Sequence, residues 1–377
     1  MKKYLVGGAV RDNLLGLPIY ERDWVVIGST PEEMIQQGFV QVGKDFPVFL
    51  HPITKEEYAL ARTERKSGNG YGGFVCDFNN TITLEQDLLR RDLTINAIAM
   101  DHDNKLIDPY HGINDIHQRI LRHVSPAFRE DPLRVLRVAR FAARFYDLDF
   151  AIAPETLQLM QQITASGEIQ HLTAERVWKE TEKALHSQNP QVYFKVLKSC
   201  GALAVLFPEL DAIFGQFDEQ NRDLGLLALS ALKHATALTP DINIRFASLC
   251  LNINNSQNIK QLCTRAKIPN HATILAVMAQ QYSQTINHIE LLTAEQIIQF
   301  FDQIDIWRKP ERLKQLIICC VANQPESVSL EDYPQNHYLQ KIYQKVSTIS
   351  AQEVIAAGFQ GKAIREQLTQ LRINAIN

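Results

Sequence analysis

The sequence predicts an α+β fold, in which an α/β head with a small mixed sheet precedes a long, all-helical neck, body and tail. Up to about residue 120, short apolar segments of strand character alternate with turns and a few helices. Beyond that point, apolar residues recur with helical spacing almost to the C-terminus. Strands that precede a long run of helices are typical of this architecture.

Three domains are expected from this change of pattern. Residues 1–120 form the head, residues 121–215 the helical neck, and residues 216–377 the helical body and tail. Proline-containing breaks at Ser125-Pro126 and at Phe207-Pro208-Glu209 support divisions in these regions.

Composition indicates a soluble globular chain. The 377 residues are 45% hydrophobic and 21% charged, which is enough for sizeable cores in two or three domains. No apolar run approaches the ~18 residues of a membrane span, and the N-terminus lacks a signal-peptide pattern, so we expect a cytoplasmic location and no membrane partner. The six cysteines lack C-x-x-C spacing and are expected to be reduced core thiols. With a formal net charge of −3, any polyanion site must come from a local basic cluster.

The first chemical motif is a pair of glycines between a strand and a helix. Residues 4–6 are β-prone, Gly7-Gly8 interrupts them, and residues 10–15 have a helical pattern. Free backbone amides at such a turn bind anions, and glycine lets the chain approach a triphosphate closely. Arg11, on the first helical turn, can add a charge-assisted bond to a phosphate oxygen. The alternative is an ordinary tight turn.

Two carboxylates, Glu21 and Asp23, follow this helix at the start of the strand-like run Asp23-Trp24-Val25-Val26-Ile27. Alternation along a strand predicts that both lie on one face. Such a pair can hold two magnesium ions, one that activates an attacking hydroxyl and one that binds a triphosphate. The alternative is a pair of solvated loop acids. Together with the glycine turn, the carboxylates predict nucleotidyl transfer.

Two further segments of the head carry charged residues. Residues 61–73 pass from a charged strand into a glycine-rich stretch. This pattern predicts a mobile loop beside the site, with Arg62 or Glu64 pointing inward; the alternative is a plain surface loop.

Residues 84–97 begin with an apolar helical stripe, so Arg90-Arg91-Asp92 falls at the end of that helix. An Arg-Asp pair there can hold a ribose hydroxyl or a phosphate. Basic residues are also favoured at any helix C-terminus.

A row of arginines marks the helix that is expected to begin at Pro132, with Asp131 as its N-cap. At about 100° per residue, four arginines fall within an arc of roughly 120°. Leu133, Leu136, Phe141 and the alanines are expected on the other side. Without interleaved acids, such a row is expected to bind a triphosphate, and a fixed Asp-Arg pair can read the Watson–Crick edge of a base. The alternative is a basic face that is salt-bridged to its neighbours. The arginines are Arg134, Arg137, Arg140 and Arg144.

Together these motifs resemble the bacterial class II tRNA nucleotidyltransferases, the CCA-adding enzymes of the polymerase-β superfamily. The resemblance lies in YLVGGAVRD with the nearby E-R-D, in RRDLTINA, in DPYHG at 108–112 and in EDPLRVLRVARFAAR. It implies addition of C, C and A to the 3′ end of tRNA from CTP and ATP, without a nucleic-acid template and with release of pyrophosphate. The implied partners are tRNA, CTP and ATP, the implied cofactor is Mg²⁺, and the chain would be a monomer or a homodimer.

The resemblance also implies a role for each matching residue of one site. Glu21 and Asp23 would hold magnesium and Arg91 would contact the nucleotide near its ribose. Asp131 and Arg134 would select first CTP and then ATP. The residues that would bind or support the phosphates are Gly8, Arg11, Arg137 and Arg140.

Two departures from the family pattern stand out. The family usually has aspartate at both metal positions, whereas this chain has Glu21 at the first, which is still a hard-oxygen ligand. Relatives often carry a C-terminal HD phosphohydrolase module, but Leu251 and Asn252 stand where its His-Asp pair would be. We therefore predict no phosphohydrolase activity, and expect the helical remainder to clamp the tRNA acceptor arm through shape and backbone contacts.

Other functions stay open at this point. A poly(A) polymerase, or a partial enzyme that adds only CC or only A, would share the motifs of the head. The short N-terminus and the Glu21-Arg22-Asp23-Trp24 context favour CCA addition. A non-catalytic RNA-binding protein derived from such an enzyme is the alternative from a different class, and the intact Asp23, Arg91 and arginine row argue against it.

Overall fold

The structure, a computed structural model, describes residues 1–42, 48–66, 74–77 and 80–377. The glycine-rich part of the predicted loop, residues 67–73, and the predicted inward position of Glu64 lie outside the described residues. The chain forms two compact units, one of residues 1–184 and 192–206 and the other of residues 185–191 and 207–377. The proposed boundaries of head, neck and body stay predictions.

A seven-stranded mixed sheet forms the N-terminal part of the first unit, as the sequence predicted. Its strand order is β3-β4-β5-β2-β1-β8-β9, and the β2–β5 pair is parallel whereas its other pairs are antiparallel. Two small sheets, β6-β7 and β10-β11, stand apart from it. The strands are β1 (Lys2–Val6), β2 (Asp23–Ile27), β3 (Val40–Val42), β4 (Val48–Leu50), β5 (Glu57–Leu60), β6 (Thr63–Lys66), β7 (Phe74–Asp77), β8 (Ala99–Met100), β9 (Leu106–Ile107), β10 (Ile120–Leu121) and β11 (Ala151–Ile152).

Helices account for most of the chain beyond β10, again as predicted. Among the described residues, no helix has the length and hydropathy needed to cross a membrane. The helices up to residue 206 are α1 (Gly8–Leu14), α2 (Pro31–Gln36), α3 (Leu84–Leu89), α4 (Gly112–Gln118), α5 (Leu133–Arg144), α6 (Pro154–Ala165), α7 (Ala174–Leu185), α8 (Pro190–Ser199) and α9 (Ala202–Leu206). Those that follow are α10 (Pro208–Asp211), α11 (Leu224–Leu238), α12 (Ile242–Cys250), α13 (Ser256–Arg265), α14 (Asn270–Asn287), α15 (Ala294–Gln303), α16 (Glu311–Ala322), α17 (Pro334–Ser347), α18 (Ala351–Ala356) and α19 (Lys362–Ile376).

Both faces of the sheet are covered, as alternate residues of β2 make clear. Val25 belongs to an apolar cluster with Val6, Leu84 and Leu88, which packs α3 against one face. Val26 points the other way, into a second cluster that includes residues of α2, β4 and β5. With both faces buried, the functional groups of the head can lie only at the sheet's edges and strand ends.

The pairing of β1 with β2 fixes where the glycine turn lies. These strands are antiparallel, and Val6 at the end of β1 pairs with Asp23 at the start of β2. Gly7 continues from β1 and donates its backbone N–H to the carbonyl of Ile98, 3.3 Å away. The register therefore holds the glycine turn and Asp23 at the same end of the sheet.

Asp92, which follows α3, joins the head to α5. Its Oδ2 accepts a 2.7 Å bond from Nε of Arg137, and its Oδ1 accepts bonds of 2.9 Å from the Asn96 side chain and from the Leu93 backbone. Burial alone would raise the pKa of Asp92, but Arg137 and Asn96 together hold it well below its usual value. Asp92 is therefore held in place by three hydrogen bonds within the protein, and the hypothesis that it pairs with Arg91 to hold a ligand stays a prediction.

The chain of polar contacts continues from Asn96 into α1. The Oδ1 of Asn96 accepts a hydrogen bond from Arg11, whose guanidinium also pairs with Asp12 at 2.7 Å. Asp12 then pairs with Arg144 at the far end of α5, at 2.8 Å. This series of polar contacts ties both the middle and the C-terminal end of α5 to the head.

Replacement of Asp92 by asparagine should destabilise the protein. The change leaves Arg137 without its closest anion, and removal of one partner of a buried pair costs about 3–5 kcal/mol. We expect about 3 kcal/mol, at the low end, because the Arg137 side chain is 34% exposed. Urea unfolding at pH 7 measures the loss, with exposed Asp103→Asn as the control, for which less than about 0.5 kcal/mol is expected.

The pH dependence of that difference gives a second check. Because the pKa of Asp92 is lowered in the folded protein, its stabilisation is fully present above the unfolded value of about 3.9. The stabilisation is lost as the pH falls from there towards the folded pKa. The difference between wild type and Asp92→Asn should therefore be constant from pH 8 to pH 5 and shrink below about pH 4. A difference that grows with acidity would contradict the assignment.

Candidate active site

One cavity in the first unit, with a volume of about 690 Å³, contains every residue that the sequence singled out for the site. The glycine turn, the carboxylate pair, the end of α3 and one face of α5 all contribute to its wall. The individual roles of these residues stay predictions. The predicted residues that line the cavity are Gly8, Arg11, Glu21, Asp23, Arg91, Asp131, Arg134, Arg137 and Arg140.

The cavity has a strongly cationic wall within a chain of net charge −3. Within the described part of the chain, ten arginine or lysine side chains line it, against four carboxylates. Three more carboxylates, those of Asp12, Asp87 and Glu180, pair with its arginines without lining the cavity. An excess of positive charge remains, so the local basic cluster that a polyanion site requires is present here.

The glycine turn provides close backbone approach at one end of the cavity. Gly7 has a φ of +69°, which favours glycine, and a Cβ at this position would lie 2.9 Å from Nη1 of Arg91. Gly8 opens α1 directly after it. A side chain at Gly7 would displace the Arg91 guanidinium, so the turn and Arg91 form one unit of the wall.

Arg11 lies deeper than the sequence suggested. It is only 2% exposed and already pairs with Asp12 and Asn96. Its guanidinium also lies 4.9 Å and 5.1 Å from the ring centres of Phe145 and Phe141. Burial lowers its pKa to about 10, so it stays charged at neutral pH. Direct binding of a phosphate by Arg11 remains a prediction.

Glu21 and Asp23 both line the cavity, although alternation along a strand is not what brings them there. The strand begins at Asp23, and Glu21 lies in the irregular segment before it. The expectation that they share a strand face is therefore wrong for Glu21. Neither carboxylate makes an ion pair or a hydrogen bond with any part of the chain that the structure describes.

The electrostatics of Asp23 suit a cation. Loss of surrounding water raises its pKa, nearby Arg91 opposes this effect, and the negative charge of Glu21 adds to it. Two uncommitted carboxylates that repel each other are a donor set that fits a hard divalent ion.

A second group of metal-binding side-chain types lies elsewhere. Within the described ranges, the one set of three such groups close enough to share an ion is Asp101, His102 and Asp103. It occupies the exposed turn between β8 and β9, where Asp101 Oδ1 accepts backbone N–H bonds from Asp103 and Lys105. That carboxylate shapes the turn, and the group does not line the cavity.

The arginines of α5 have partners within the protein. The sequence reasoning assumed that they repel one another unless an anion is present, because α5 carries no acids. That assumption is wrong, since acids from other elements reach them. The partners are Asp92 for Arg137, Glu180 for Arg140, Asp12 for Arg144, and the backbone carbonyls of Ala127 and Arg90 for Arg134.

Two apolar residues of α5 were expected to face away from the arginines but line the cavity beside them. Phe141 comes seven positions after Arg134, so at about 100° per residue it lies only about 20° from it around the helix. The guanidinium of Arg140 lies 4.3 Å from its ring centre. Leu133 falls within the same arc and also lines the cavity.

Asp131 and Arg134 are both held before any ligand binds. One Asp131 oxygen accepts the backbone N–H of Leu133 at 3.1 Å, but the helix begins at Leu133 with Pro132 as its N-cap, one residue later than predicted. The other oxygen accepts a 2.8 Å bond from Arg176. Arg134 donates to the carbonyls of Ala127, at 2.7 Å, and Arg90. Fixed side chains of this kind suit selection among similar ligands.

Helix α7 supplies site residues that the sequence reasoning missed. Arg176 and Lys183 line the cavity, and Glu180 between them pairs with Arg140. These three residues are spaced i, i+4 and i+7, and therefore share one helix face. That spacing is readable in the sequence, but nothing local links it to residues of α5.

Comparison with known proteins agrees with this description. Residues 3–122 match the family described as the poly A polymerase head domain, and residues 149–214 match the probable RNA and SrmB-binding site of polymerase A. Among solved structures, the apo form II of a CCA-adding enzyme is 21% identical to this chain, with a TM-score of 0.73. The alignment covers 100% of this chain and 88% of the CCA-adding enzyme.

Two related structures contain ligands. The Bacillus stearothermophilus CCA-adding enzyme in complex with CTP is 26% identical, with a TM-score of 0.70 and coverage of 100% of this chain and 88% of its own. The Thermotoga maritima CCA-adding enzyme complexed with tRNA is 21% identical, with a TM-score of 0.69. The alignment covers 100% of this chain and 87% of that enzyme. The chain is therefore a nucleotidyltransferase, with a head of the poly A polymerase head-domain family and the fold of the class II CCA-adding enzymes.

Proposed function

We propose that this nucleotidyltransferase adds C, C and A to the 3′ end of tRNA, using CTP and ATP and releasing pyrophosphate. The observation that carries the proposal is the joint presence, around one cavity, of an uncommitted carboxylate pair and a fixed Asp131-Arg134 pair. The first suits phosphoryl transfer, and the second suits recognition of a base by protein groups.

Related structures support this choice of substrates. CCA-adding enzymes with the same fold have been solved in complex with CTP, with ATP and with tRNA. The match of residues 149–214 to an RNA-binding region of polymerase A agrees with an RNA substrate. We extend tRNA binding to the helical body and tail, residues 216–377, and place the enzyme in the cytoplasm, where its substrate would be.

Residues in different parts of the cavity would bind different parts of the nucleotide. The backbone of Gly7-Gly8 and the guanidinium of Arg91 form one side of a triphosphate site, with Arg137 and Arg140 across from the glycine turn on α5. Their charges orient the triphosphate and stabilise the negative charge that develops on the leaving pyrophosphate. Their internal ion pairs keep the guanidinium groups in place, so little reorganisation accompanies binding.

Glu21 and Asp23 would hold Mg²⁺, which fits two hard, unpaired carboxylates. When bound, the metal supplies charge neutralisation of the triphosphate and activation of the attacking 3′-hydroxyl. The chain's own part is to present both carboxylates in the ionised state. The raised pKa of Asp23 means that ionisation and cation binding favour each other.

Asp131 and Arg134 would read the base. A carboxylate accepts from an exocyclic amino group, and a guanidinium donates to ring nitrogens and carbonyl oxygens. Cytosine and adenine both carry an amino group beside a ring acceptor, so one Asp-Arg pair can serve both. Guanine and uracil present the opposite order of donors and acceptors and would face unpaired polar groups.

A poly(A) polymerase is the second candidate, because the matched head-domain family carries that description. The order of incorporation distinguishes the two. Purified protein should be incubated with tRNA that lacks its last three nucleotides, with each nucleoside triphosphate alone and then in pairs. CCA addition predicts two C residues from CTP alone, and one further A once ATP is added. Long A tails from ATP alone would support the polymerase, and no incorporation would point to a non-catalytic RNA-binding protein.

Asp23→Asn should impair nucleotidyl transfer without destabilising the folded protein. Without this carboxylate, transfer should fall by on the order of 10³-fold or more, since metal stabilisation of the transition state amounts to several kcal/mol. Because the pKa of Asp23 is raised, its charge opposes folding of the metal-free protein at neutral pH. The variant should therefore be at least as resistant to heat as wild type without metal, and should gain less from added Mg²⁺. A less stable variant that responds normally to Mg²⁺ would contradict the site.

Arg134→Ala should impair nucleotide choice more than tRNA binding. Arg134 would donate hydrogen bonds to cytosine and adenine but not to uracil and guanine, and loss of such a donor reduces discrimination by about 1–3 kcal/mol. The preference for CTP and ATP over UTP and GTP, measured as the ratio of kcat/KM values, should therefore fall by roughly 10–100-fold. Steady-state kinetics with each nucleotide measures this effect, and filter binding measures tRNA affinity. Arg129→Ala is the control, because Arg129 lies close by in sequence and does not line the cavity. An unchanged preference would exclude Arg134 from base selection.

A further inference from the structure

The second unit contains a cavity of its own, with a volume of about 260 Å³. It lies where the ends of α11, α12 and α16 meet one face of α14, and it includes Leu251 and Asn252, where relatives would carry a His-Asp metal pair. Its wall has an unusual composition. Six carboxamide side chains line it: Asn252, Asn254, Gln280, Gln284, Asn287 and Asn323.

Among the residues that the structure describes, none with a charged side chain contributes to this wall. The thiol of Cys320 also lines the cavity, and burial raises its pKa far above the usual value, so it is neutral at physiological pH. A phosphate would find no cation here, and a metal ion would find no carboxylate or imidazole. The cavity therefore suits an uncharged ligand with several hydrogen-bonding groups.

The carboxamides form an ordered array. Gln280, Ser283, Gln284 and Asn287 are spaced i, i+3, i+4 and i+7, so they form a single polar stripe along α14. Across from this stripe, the amide of Asn252 donates to Oδ1 of Asn323 at 2.9 Å, which leaves the Asn252 carbonyl and the Asn323 amino group available. Within the described residues, the side-chain amides of Gln280 and Gln284 have no hydrogen-bond partner.

The hydrogen-bonding groups of a carboxamide array are complementary to those on the edge of a nucleobase. Each carboxamide presents one donor and one acceptor side by side, and the edge of a nucleobase presents the same pair of groups. Unpaired bases are recognised on these edges by polar side chains. The volume lies just below the ~300 Å³ at the low end of drug-sized ligand pockets, which suits a single base rather than a whole nucleotide.

An exposed aromatic residue is adjacent in the chain to a residue that contacts the pocket wall. Phe217 is 59% exposed, and the preceding residue, Gln216, accepts a 3.2 Å bond from the side chain of Asn254. Aromatic rings beside hydrogen-bonding groups are a recurrent arrangement for holding unpaired bases. We propose that the carboxamide-lined pocket binds one uncharged nucleobase, either of a free nucleoside or of an unpaired position in a bound RNA.

Two adjacent glutamines of α14 provide a matched test. Gln280 lines the pocket, whereas Gln281 is exposed and does not. Full-length wild type, Gln280→Leu and Gln281→Leu should be titrated with adenosine, cytidine, guanosine and uridine. These probes lack the phosphates that the catalytic cavity attracts. We expect binding of at least one nucleoside to be about tenfold weaker in Gln280→Leu than in Gln281→Leu, as for loss of one hydrogen-bonding side chain.

The same variants should be tested for tRNA affinity, which identifies the source of the base. Weaker nucleoside binding alone assigns the pocket to a free nucleoside, and weaker tRNA binding assigns it to an unpaired RNA base. Equal behaviour of the two variants in both measurements would overturn the proposal. So would nucleoside binding that Arg134→Ala abolishes and Gln280→Leu does not, because the nucleoside would then occupy the catalytic cavity.

Neither result depends on nucleotide incorporation, so this proposal and the proposed function can fail separately. If Gln280→Leu lowers the unfolding temperature, Gln284→Leu provides the same comparison from a more exposed position on the same stripe.

Discussion

The candidate active site depends on the contact between Asp92 and Arg137. Asp92 is a buried carboxylate at the end of α3, and Arg137 lies in the middle of α5. Through Asn96, the same carboxylate fixes Arg11 and hence α1. A single anion therefore contacts, directly or through Asn96, the end of α3, the arginine helix and the helix that follows the glycine turn. Because burial of an unpaired charge is costly, separation of these elements would be penalised by the loss of the Asp92–Arg137 pair.

This arrangement gives the arginines two functions. Each is held in place by a carboxylate or a carbonyl, and each still contributes positive charge to the cavity. A bound triphosphate need not order these flexible side chains, because the protein has already ordered them during folding. The carboxylates Glu21 and Asp23 are the exception. They have no such partners among the described residues, and their mutual repulsion disfavours the metal-free site.

Much of this site was predictable from the sequence because its motifs are local. The strand, glycine turn and helix around Gly8, the start of α5 within one residue of Pro132, and the change to helices near residue 120 all follow from short-range patterns. The partners of the arginines were not predictable, because Asp12, Asp92 and Glu180 lie far from α5 in the sequence or on other helices. Tertiary contacts of this kind have no local signature.

Other differences have equally definite causes. Phe141 lies on the arginine side of α5 because it comes seven residues, or about two full turns, after Arg134. Glu21 reaches the cavity from an irregular segment, where strand alternation has no meaning. Arg176 and Lys183 share a helix face that the sequence displays plainly, yet their connection to Asp131 and the cavity appears only once α7 packs beside α5.

The central claim is that one cavity joins a metal-binding carboxylate pair to a base-reading Asp-Arg pair. A crystal structure of the protein with CTP and Mg²⁺ tests it most directly. Our account predicts oxygen atoms of Glu21 and Asp23 at about 2.1 Å from the metal. It also predicts Asp131 and Arg134 within about 3 Å of the Watson–Crick edge of cytosine. Metal bound away from Glu21 and Asp23, or a cytosine edge that contacts neither Asp131 nor Arg134, would contradict it.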